Sequence, residues 1–387
     1  MLRFLTAGES HGPGLIAIIE GLPANLSINT NLINQELAQR QQGAGRGGRM
    51  KIELDQVKIL SGVRFGLTLG SPVSLLIENK DWANWTTVMS SDPIPVEPTR
   101  LLEPRPGHAD LPGVLKYGQR DCRNILERAS ARETAARVAV GGVAKQLLAQ
   151  FGITVGSQVK SIGDITAVAC LCNPDQISDV RLSPVHTLDE EAAKRMVEHI
   201  DQARAAGESL GGVFEVVVWG VPVGLGSHVH WDRRLDAQLS AVIMSIPAIK
   251  GVEVGDGFAL AERLGSAAHD AIYYAPEQGF YRRTNYAGGI EGGISNGMPI
   301  RITAAMKPIP TLMTPLPSVQ IETKEVVEAA RERSDVCAVP AAAIVAEAMV
   351  SWVLAGAILE KFGGDNIQET LAAFARYHKE VSAGDPN

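Results

Sequence analysis

The residues best suited to chemistry in this sequence lie between Pro104 and Gly142, where arginines surround one histidine, His108. Arg128 and Arg132 are four residues apart, so on a helix they would share a face and repel each other. Guanidinium groups bind carboxylates and phosphates through paired hydrogen bonds, and a bound anion would offset this repulsion. The stretch therefore predicts half of an active site for a substrate with several negative charges. It holds six arginines: Arg105, Arg120, Arg123, Arg128, Arg132 and Arg137.

The second candidate histidine is His11, which follows Ser10 in the motif GESHG (Gly8 to Gly12). Glycine lets the backbone come close to a ligand, and histidine can act as a general acid near neutral pH. Structural alternatives stay open for both histidines. His11 could be a turn residue that bonds only to backbone, and His108 could be a capping or core residue.

A glycine–arginine loop, GRGGR (Gly45 to Arg49), resembles a phosphate cradle but lacks the Lys-Ser/Thr pair of a P-loop. Arg46 and Arg49 belong to this loop, and Arg40 ends the helix before it. Their forked guanidinium groups suit phosphate or carboxylate. A flexible basic loop, or one that contacts RNA, is the alternative.

Three loops in the second half of the chain are also candidates. RSD (Arg333 to Asp335) precedes Pro340 and a long apolar run, so Asp335 is either a helix-entry residue or a functional carboxylate. KPIPT (Lys307 to Thr311) and GGISNG (Gly292 to Gly297) offer backbone amides and a lysine to a phosphate-bearing cofactor.

Composition argues against several classes of protein. The net charge of -7 is unlike that of a general nucleic-acid binder, which is more often basic. No GxGxxG joins a strand to a helix, which argues against a Rossmann dinucleotide site. His228 and His230 resemble a metal pair, but no carboxylate completes a triad, so we predict no metal. The four cysteines lack zinc-ligand spacing, and we expect reduced thiols in a cytoplasmic protein: Cys122, Cys170, Cys172 and Cys337.

One apolar run, Val339 to Leu359, is long enough to cross a membrane, but Glu347 lies in its middle. We therefore predict a helix buried in the core or in a subunit interface. The opening run from Met1 to Thr6 is too short for a signal peptide, and we expect none.

Strands and helices alternate in pairs rather than as regular βαβ units, which predicts an α+β fold. Strands are predicted at Arg3–Ala7, Gly14–Glu20, Lys51–Ile59, Pro72–Glu78, Gly152–Ile162 and Gly212–Trp219. Helices are predicted at Thr30–Gln41 (capped by Asn29 or Thr30), Gln119–Phe151, Asp189–Ala206, Trp231–Ser245, Val319–Arg333 and Val339–Phe362.

Three matches between the halves of the chain indicate an internal duplication. The strand beginning at Gly14 and its Gly-Leu-Pro ending match 213–222. Residues 62–77 match 289–304, sharing G-[VI]-x-x-G-x-x-x-G-x-P-[VI], and 105–112 match 333–340. The duplication predicts that the His108 loop and the Asp335 loop occupy pseudo-symmetric places, each at the start of a central helix.

Several of these motifs occur together in one order: AGESHG (7–12), QQGAGRGGRM (41–50), EPRPGHADLPGVLKYG (103–118), ERASARETAARVAVG (127–141), KGVEVGDGF (250–258), GGIEGGISNGMPI (288–300), KPIPT (307–311) and RSDVCAVP (333–340). This set spans nearly the whole chain and resembles the chorismate synthase family. The resemblance implies a carbon–oxygen lyase at the last step of the shikimate pathway, in aromatic amino acid biosynthesis. The family converts 5-enolpyruvylshikimate 3-phosphate to chorismate and phosphate by anti-1,4-elimination. It requires reduced FMN, which is thought to lend an electron and recover it.

The resemblance also implies roles for individual residues. His11 is expected to protonate the departing phosphate, and His108 to hold a proton near flavin N1. Asp335 is expected to act as base, taking a proton by way of flavin N5. The implied substrate-binding residues are Ser10, Arg40, Arg46, Arg49, Arg105, Ser130, Arg132 and Arg333. The implied FMN-binding residues are Arg128, Ala129, Ser130, Pro247, Ala248, Gly292, Lys307, Pro308, Ile309, Pro310, Thr311 and Arg333.

One position departs from the family pattern. Pro247 stands where the family often has asparagine or glutamine. Proline offers neither an amide N–H nor a polar side chain, so a flavin contact there must use a carbonyl, an apolar surface or a water.

The family's fold is a β-α-β sandwich, with central helices covered by antiparallel sheets. By resemblance we expect one domain over residues 1–387, with halves at roughly 1–152 and 210–365, and a cytoplasmic homotetramer that binds neither nucleic acid nor membrane. A separate flavin reductase is the default partner, with NADPH as an alternative direct reductant. Two other functions stay open: a redox flavoprotein, and an RNA-binding module that uses Gly43 to Arg49.

Overall fold

The computed structural model describes residues 1–47, 54–96, 98–277, 279–332 and 334–382. The predicted site residues Arg49 and Arg333 lie outside these ranges, as do residues 51–53 of the strand predicted at Lys51–Ile59. The described residues form mixed helices and antiparallel sheets, which confirms the α+β class.

The helices are α1 (Thr30–Gln41), α2 (Asp110–Tyr117), α3 (Arg123–Ala129), α4 (Thr134–Ala149), α5 (Ile177–Leu182), α6 (Glu190–Ala206), α7 (Leu235–Met244), α8 (Gly265–Ala268), α9 (Val339–Phe362) and α10 (Ile367–Ser382). The strands are β1 (Arg3–Ala7), β2 (Gly14–Glu20), β3 (Val57–Ser61), β4 (Val63–Arg64), β5 (Leu67–Thr68), β6 (Val73–Glu78), β7 (Thr154–Ile162), β8 (Ile165–Thr166), β9 (Gly212–Trp219), β10 (Ile249–Val254), β11 (Ile272–Ala275), β12 (Gly279–Arg282), β13 (Ile290–Glu291), β14 (Ile294–Ser295), β15 (Ile300–Met306), β16 (Pro317–Val319) and β17 (Val326–Glu328).

The first large sheet has four antiparallel strands in the order β1-β2-β6-β3. Side chains alternate between its faces, as strand geometry requires. Along β2, Leu15, Ala17 and Ile19 are buried, whereas Ile16 and Ile18 are exposed on the outer face. The inner face of this sheet therefore supplies one wall of the core.

The second large sheet has five antiparallel strands in the order β10-β15-β9-β7-β8. Its central strand β9 is buried from Phe214 to Val218. Helix α9 packs on this sheet, and a small apolar cluster of Leu171, Val180 and Val217 covers part of it. A strand covered on both faces carries a nearly continuous apolar run, as the sequence of β9 does.

Helices α4 and α9 connect the two sheets. They pack against each other, α4 also contacts β2 and β6, and α9 contacts β7 and β9. Gly141 of α4 lies so close to α9 that an added Cβ would sit 2.2 Å from the Cβ of Ala348, so no larger residue fits without a shift. Helix α9 is long and apolar enough to cross a membrane, but most of it is buried inside the protein. The prediction of a buried helix is thus confirmed.

The glutamate in the middle of α9 is the centre of a buried polar cluster. Glu347 is fully buried, and its carboxylate accepts hydrogen bonds from Lys145 Nζ (2.5 Å) and Ser157 Oγ (2.6 Å). Burial raises the pKa of Glu347, but Lys145 and Arg181 outweigh that effect and hold the pKa below its usual value. Burial lowers the pKa of the neighbouring His186 to about 4. The groups that face Glu347 are Glu36 (through the shared cations), Lys145, Ser157, Arg181 and His186.

Several predicted elements are confirmed to the residue, including α1 with its Asn29 cap, β1, β2, β9 and α9. The helix predicted at Gln119–Phe151 is wrong as one element. Ser130 is extended (φ -62°, ψ 142°), and its side chain accepts the backbone N–H of Arg132, so the chain breaks there before α4 begins. The His108 loop consequently leads into the short helix α2 rather than into a central helix.

Two further helix predictions need correction. In the described part of the span predicted as Val319–Arg333, the last residue of β16 and all of β17 belong to a hairpin, with Lys324 at positive φ (65°) between the two strands. The valines of this segment favour a strand, and the backbone pairing of β16 with β17 makes it a hairpin rather than a helix. In Trp231–Ser245, a 3₁₀ turn at Trp231–Arg233 precedes α7.

Candidate active site

A cavity of about 480 Å³ lies where the loops after β1 and α1, the breaks around α3, the end of β15 and the start of α9 meet. It brings together residues from both halves of the sequence. The predicted site residues that line it are Ser10, His11, Arg40, Arg46, Arg105, His108, Ala129, Ser130, Arg132, Pro247, Ala248, Lys307, Ile309, Pro310, Thr311 and Asp335.

Among the predicted residues that the structure describes, three are not part of this lining. Arg128 turns away, and its guanidinium donates to the backbone oxygens of Thr6 and Gly8. Pro308 lies between two lining residues, Lys307 and Ile309. Gly292 is exposed at the turn between β13 and β14, so the single chain does not bring it to the cavity.

His11 is held by a buried glutamate. Its ring Nδ1 lies 3.0 Å from Glu127 Oε1, and its backbone N–H donates to Glu127 Oε2 at 2.8 Å. Burial raises the pKa of Glu127, but the hydrogen bonds from His11 and the charge of Arg123 outweigh it, so the pKa lies below its usual value. Because a carboxylate can only accept, Nδ1 carries the proton of this contact.

An aromatic ring completes the setting of His11. The indole of Trp85 stacks on the imidazole, with centroids 3.9 Å apart and planes 26° apart. Arg123 lies 5.2 Å from the centre of the Trp85 ring and donates to Glu127 at 3.1 Å. Trp85 also lines the cavity. The stacked indole therefore fixes the plane of the His11 ring, and Glu127 fixes the orientation of the ring within that plane.

His108 has a carboxylate partner as well. Its Nδ1 lies 2.5 Å from Oδ1 of Asp110, a fully buried residue. Arg105 donates through Nε to the same carboxylate (2.8 Å) and through Nη1 to Thr311 (2.9 Å). Burial raises the pKa of Asp110, but the hydrogen bonds from His108 and Arg105 outweigh it and hold the pKa well below its usual range. Arg105 Nη2 also lies 3.0 Å from Nδ1 of His108. Two donors cannot form a hydrogen bond with each other, so the shorter contact to Asp110 is the hydrogen bond that Nδ1 makes.

Two arginines of the cavity, Arg40 and Arg132, share one buried carboxylate. Arg132 donates to Asp55 Oδ1 at 2.6 Å and to Asn79 at 2.9 Å, and Arg40 lies 3.4 Å from the other oxygen of Asp55. Burial lowers the pKa of Arg40 to about 10, and the charges of Arg46 and Arg132 add to this effect, while Asp55 opposes it. One carboxylate among these cations leaves a positive wall that favours an anionic ligand.

Asp335 is anchored by the glycine–arginine loop. Arg46 Nη1 lies 2.5 Å from Oδ2, and the backbone N–H of Gly47 donates to Oδ1 at 2.6 Å. A Cβ at Gly45 would sit 2.9 Å from the Cβ of Cys337, and one at Gly47 2.9 Å from the carbonyl oxygen of Ser334. These glycines are therefore needed for the close approach that places Asp335 in the cavity.

The segment after β15 is tied to the His108 loop and to Ala248. Lys307 donates from Nζ to the carbonyl of Gly107 (2.6 Å) and from its backbone to the carbonyl of Ala248 (2.9 Å). Ala248 has positive φ (68°), an unfavourable conformation for a residue with a Cβ, and such strain clusters at functional sites. Pro247 lines the cavity beside it as an apolar surface.

The geometry combines two histidine–carboxylate pairs, a cationic wall and one anchored carboxylate around a single cavity. Such a set can bind a polyanion and move protons at two places. Sequence reasoning missed the residues that hold the candidate site side chains, which are Glu127, Asp110, Trp85, Asp55 and Asn79. The spacing GHAD places Asp110 two residues after His108 and was a usable signal, whereas Asp55 and Asn79 carried none.

The whole chain also matches known proteins. A family model described as chorismate synthase matches residues 2–359. The chain belongs to the chorismate synthase family. Among curated relatives, the chorismate synthase of Moorella thermoacetica is 58% identical over 384 residues, covering 98% of this chain and 100% of that protein. The chorismate synthase of Sulfurihydrogenibium sp. is 57% identical over 392 residues, covering 98% and 99%. A crystal structure of chorismate synthase aligns with a TM-score of 0.80 at 46% identity, covering 99% of this chain and 98% of that one.

The chorismate synthase resemblance drawn from the motifs is therefore confirmed. So is the prediction of an enzyme, a carbon–oxygen lyase of aromatic amino acid biosynthesis that acts on a small molecule. In the loop that was the alternative RNA-binding candidate, the described part packs against the Asp335 segment and lines the cavity.

Proposed function

We propose that this chain converts 5-enolpyruvylshikimate 3-phosphate to chorismate and phosphate by anti-1,4-elimination and depends on reduced FMN. The observation that carries the proposal is the convergence of His11, His108 and Asp335 on one cavity that is also lined by arginines. An elimination of this kind needs an acid for the leaving phosphate and a base for the lost proton. The cavity offers an acid, His11, from the first half of the sequence and a base, Asp335, from the second half.

The substrate carries one phosphate and two carboxylates, which accounts for the number of arginines. Arg46, Arg105 and Arg132 line the cavity together with Arg40, and each gains from a charge-assisted fork on an anion. Ser130 donates to Ser10 at 3.2 Å, so these two hydroxyls form a neutral polar patch beside the cations. The proposed substrate-binding set is Ser10, Arg40, Arg46, Arg105, Ser130 and Arg132, with Arg49 and Arg333 proposed from the family resemblance alone.

The proposed proton transfers follow from how each group is held. His11 gives the proton on Nε2 to the departing phosphate, and Glu127 stabilises the ring at Nδ1. His108, fixed by Asp110, holds a proton at the other side of the cavity. Asp335 accepts the proton that the substrate loses, and Arg46 and Gly47 keep its carboxylate in place.

The lining is compatible with FMN in size and in donor chemistry. Its volume falls within the range of small-molecule and cofactor sites. Ile246, Pro247, Met306 and Val345 form an apolar wall suited to a flat ring, while Lys307 and Thr311 offer donors to a phosphate. Bound reduced FMN supplies an electron that returns by the end of the cycle, so the elimination has no net redox change. The proposed FMN-binding set is Ala129, Ser130, Pro247, Ala248 and Lys307 to Thr311, with Arg128, Gly292 and Arg333 proposed from the resemblance alone.

We also propose that the fold is a β-α-β sandwich built from two related halves. The order β1-β2-β6-β3 has a counterpart in β7-β9-β15-β10, and α4 and α9 follow β6 and β15. The register supports this: Ile19 pairs with Val73, and the equivalent residues by sequence match, Val218 and Ile300, pair with each other. In this topology the second half of the duplication begins at Thr154 rather than at residue 210. Both halves belong to one proposed domain over residues 1–387.

The proposed assembly is a cytoplasmic homotetramer, served by a separate flavin reductase unless NADPH reduces the flavin directly. An exposed apolar surface supports self-association. Leu5 is paired with Ile18 across β1 and β2, and Ile16 lies beside them on the outer face of the first sheet. Surfaces of this kind mark interaction sites. Light scattering of the purified protein tests the subunit number.

The activity test is phosphate release from the substrate under anaerobic conditions, with and without reduced FMN. We expect chorismate and phosphate in equal amounts only when reduced FMN is present. Absence of phosphate release under those conditions would reject the proposal. Consumption of one reduced flavin per product would instead indicate a redox flavoprotein.

A further inference from the structure

The loop that covers the outer face of the second sheet carries two cysteines, Cys170 and Cys172, which the proposed elimination does not use. Both side chains are exposed, whereas Cys122 and Cys337 are fully buried. Burial raises the pKa of Cys122 and of Cys337 to about 11, which keeps those two thiols unreactive. The two exposed cysteines therefore differ from the others in their access to solvent.

The local structure brings the two exposed thiols together. Leu171 between them is buried in the apolar cluster with Val180 and Val217, so the flanking side chains lie outside that cluster. The thiols of Cys170 and Cys172 are near enough to interact electrostatically. Cα atoms two residues apart are separated by at most about 7 Å, which is also the upper limit for a disulfide.

The backbone around the pair is fixed by its neighbours. The N–H of Cys172 donates to Gln176 Oε1 at 2.8 Å, and the indole N–H of Trp219 donates to the carbonyl of Cys172 at 3.3 Å. Arg301 Nη2 lies 4.0 Å from Cys170 Sγ, so a cation stands beside the sulfur where thiolate charge develops. Because these contacts fix the backbone, the two cysteines are pre-organised to close a disulfide ring.

We propose that Cys170 and Cys172 are a reversible redox-modification site that closes to an intramolecular disulfide by exchange with a small-molecule disulfide. The exposed Cys172 thiolate attacks the external disulfide, which releases one thiol and leaves a mixed disulfide. Cys170 then loses its proton and attacks the Cys172 sulfur, which releases the second thiol. Two electrons pass from the cysteine pair to the external disulfide, and two protons accompany them to the released thiols.

Burial and the contact with Cys172 raise the pKa of Cys170, and Arg301 opposes this effect. Because its pKa is raised, Cys170 is assigned the closing step, and the first attack falls to the exposed Cys172. Because the two thiols are held near each other on one anchored loop, the closing step competes well against a second external molecule.

The experiment equilibrates the native protein in mixtures of reduced and oxidised glutathione, followed by acid quench, alkylation and peptide mapping. We expect a disulfide within the peptide that contains both cysteines, reversed by excess reduced glutathione, with Cys122 and Cys337 unmodified. The variants Cys170→Ser and Cys172→Ser should each stop at one glutathione adduct on the remaining cysteine. Both substitutions are at exposed positions, and circular dichroism checks that the variants are folded.

A second measurement isolates the contribution of the fold. The equilibrium constant for closure should be at least roughly tenfold larger in the native protein than in the same chain in denaturant, because the native loop holds the backbone of the pair in place. Equal constants in the two states would overturn the proposal. So would two separate glutathione adducts on the wild-type pair, or thiols that stay reduced while the denatured chain oxidises.

Discussion

Replacing Glu127 with glutamine tests how His11 is held. Glu127 is 3% exposed and contacts both the ring and the backbone N–H of His11. Glutamine keeps the size and one acceptor oxygen but removes the charge. A hydrogen bond to a charged group contributes about 1.5–3 kcal/mol and a neutral one about 0.5–1.5 kcal/mol, so protonated His11 loses about 1–2 kcal/mol of stabilisation. Since 1.36 kcal/mol is tenfold in rate, we expect kcat to fall roughly 5- to 30-fold.

The assay is stopped-flow phosphate release under anaerobic conditions with excess reduced FMN. Because Glu127 does not line the cavity, KM for the substrate should change little. The matched control is Glu133→Gln. Glu133 is also nearly buried, at 7% exposure, and pairs with Arg137 at 3.0 Å, but no histidine contact joins it to the cavity. Full kcat in a folded Glu127→Gln protein, or an equal loss in the control, would refute the reasoning.

Three other substitutions give separate tests. Asp335→Asn should abolish turnover while FMN binding, followed by fluorescence, is retained; normal turnover would remove Asp335 as the base. Glu347→Ala should lower the free energy of unfolding by about 3–5 kcal/mol in a denaturant titration, because it removes the fully buried carboxylate that pairs with Lys145 and Arg181 and leaves them to share Glu36; a loss below about 1 kcal/mol would contradict this. The pKa of His186 is 6.5 in the unfolded chain and about 4 in the folded protein. As the pH falls, the unfolded chain therefore binds a proton at this histidine before the folded protein does. The free energy of unfolding should therefore fall by about 3 kcal/mol as the pH drops from 6.5 to 4. His186→Asn tolerates the positive φ of 60° there and should flatten this dependence; an unchanged slope would exclude His186.

The sequence predicts the parts of the fold that local signals specify. Helix α1 begins after a side-chain cap at Asn29 and contains no strong breaker, so its limits are readable. Strand β2 and helix α9 carry apolar patterns that match their burial. The residues between Val319 and Glu332 carry no such signal, and the pairing of β16 with β17 is visible only in three dimensions.

The candidate site divides in the same way. His11, His108 and Asp335 stand in distinctive glycine- or arginine-containing motifs, so the sequence identifies them. Glu127 instead reads as part of a charged helix face, and only the packing of the loop after β1 on α3 buries it against His11. Asp55 is 77 residues from Arg132, so no local spacing predicts their contact.

The glycine–arginine loop shows a further limit of local patterns. GRGGR suggested a phosphate cradle, but Gly45 and Gly47 serve the close packing of the loop on Ser334 and Cys337. The arginine of the described part, Arg46, both lines the cavity and anchors Asp335. The motif therefore acts in the site partly by positioning a carboxylate from the other half of the chain.

The central claim is that this cavity performs an elimination with no net redox change. The most direct measurement is the number of chorismate molecules formed per FMN reduced, in a sealed anaerobic reaction with no further reductant. The account predicts many turnovers for each flavin reduced once, with flavin absorbance returning to the reduced state when substrate is exhausted. One product per reduced flavin, with the flavin left oxidised, would contradict it.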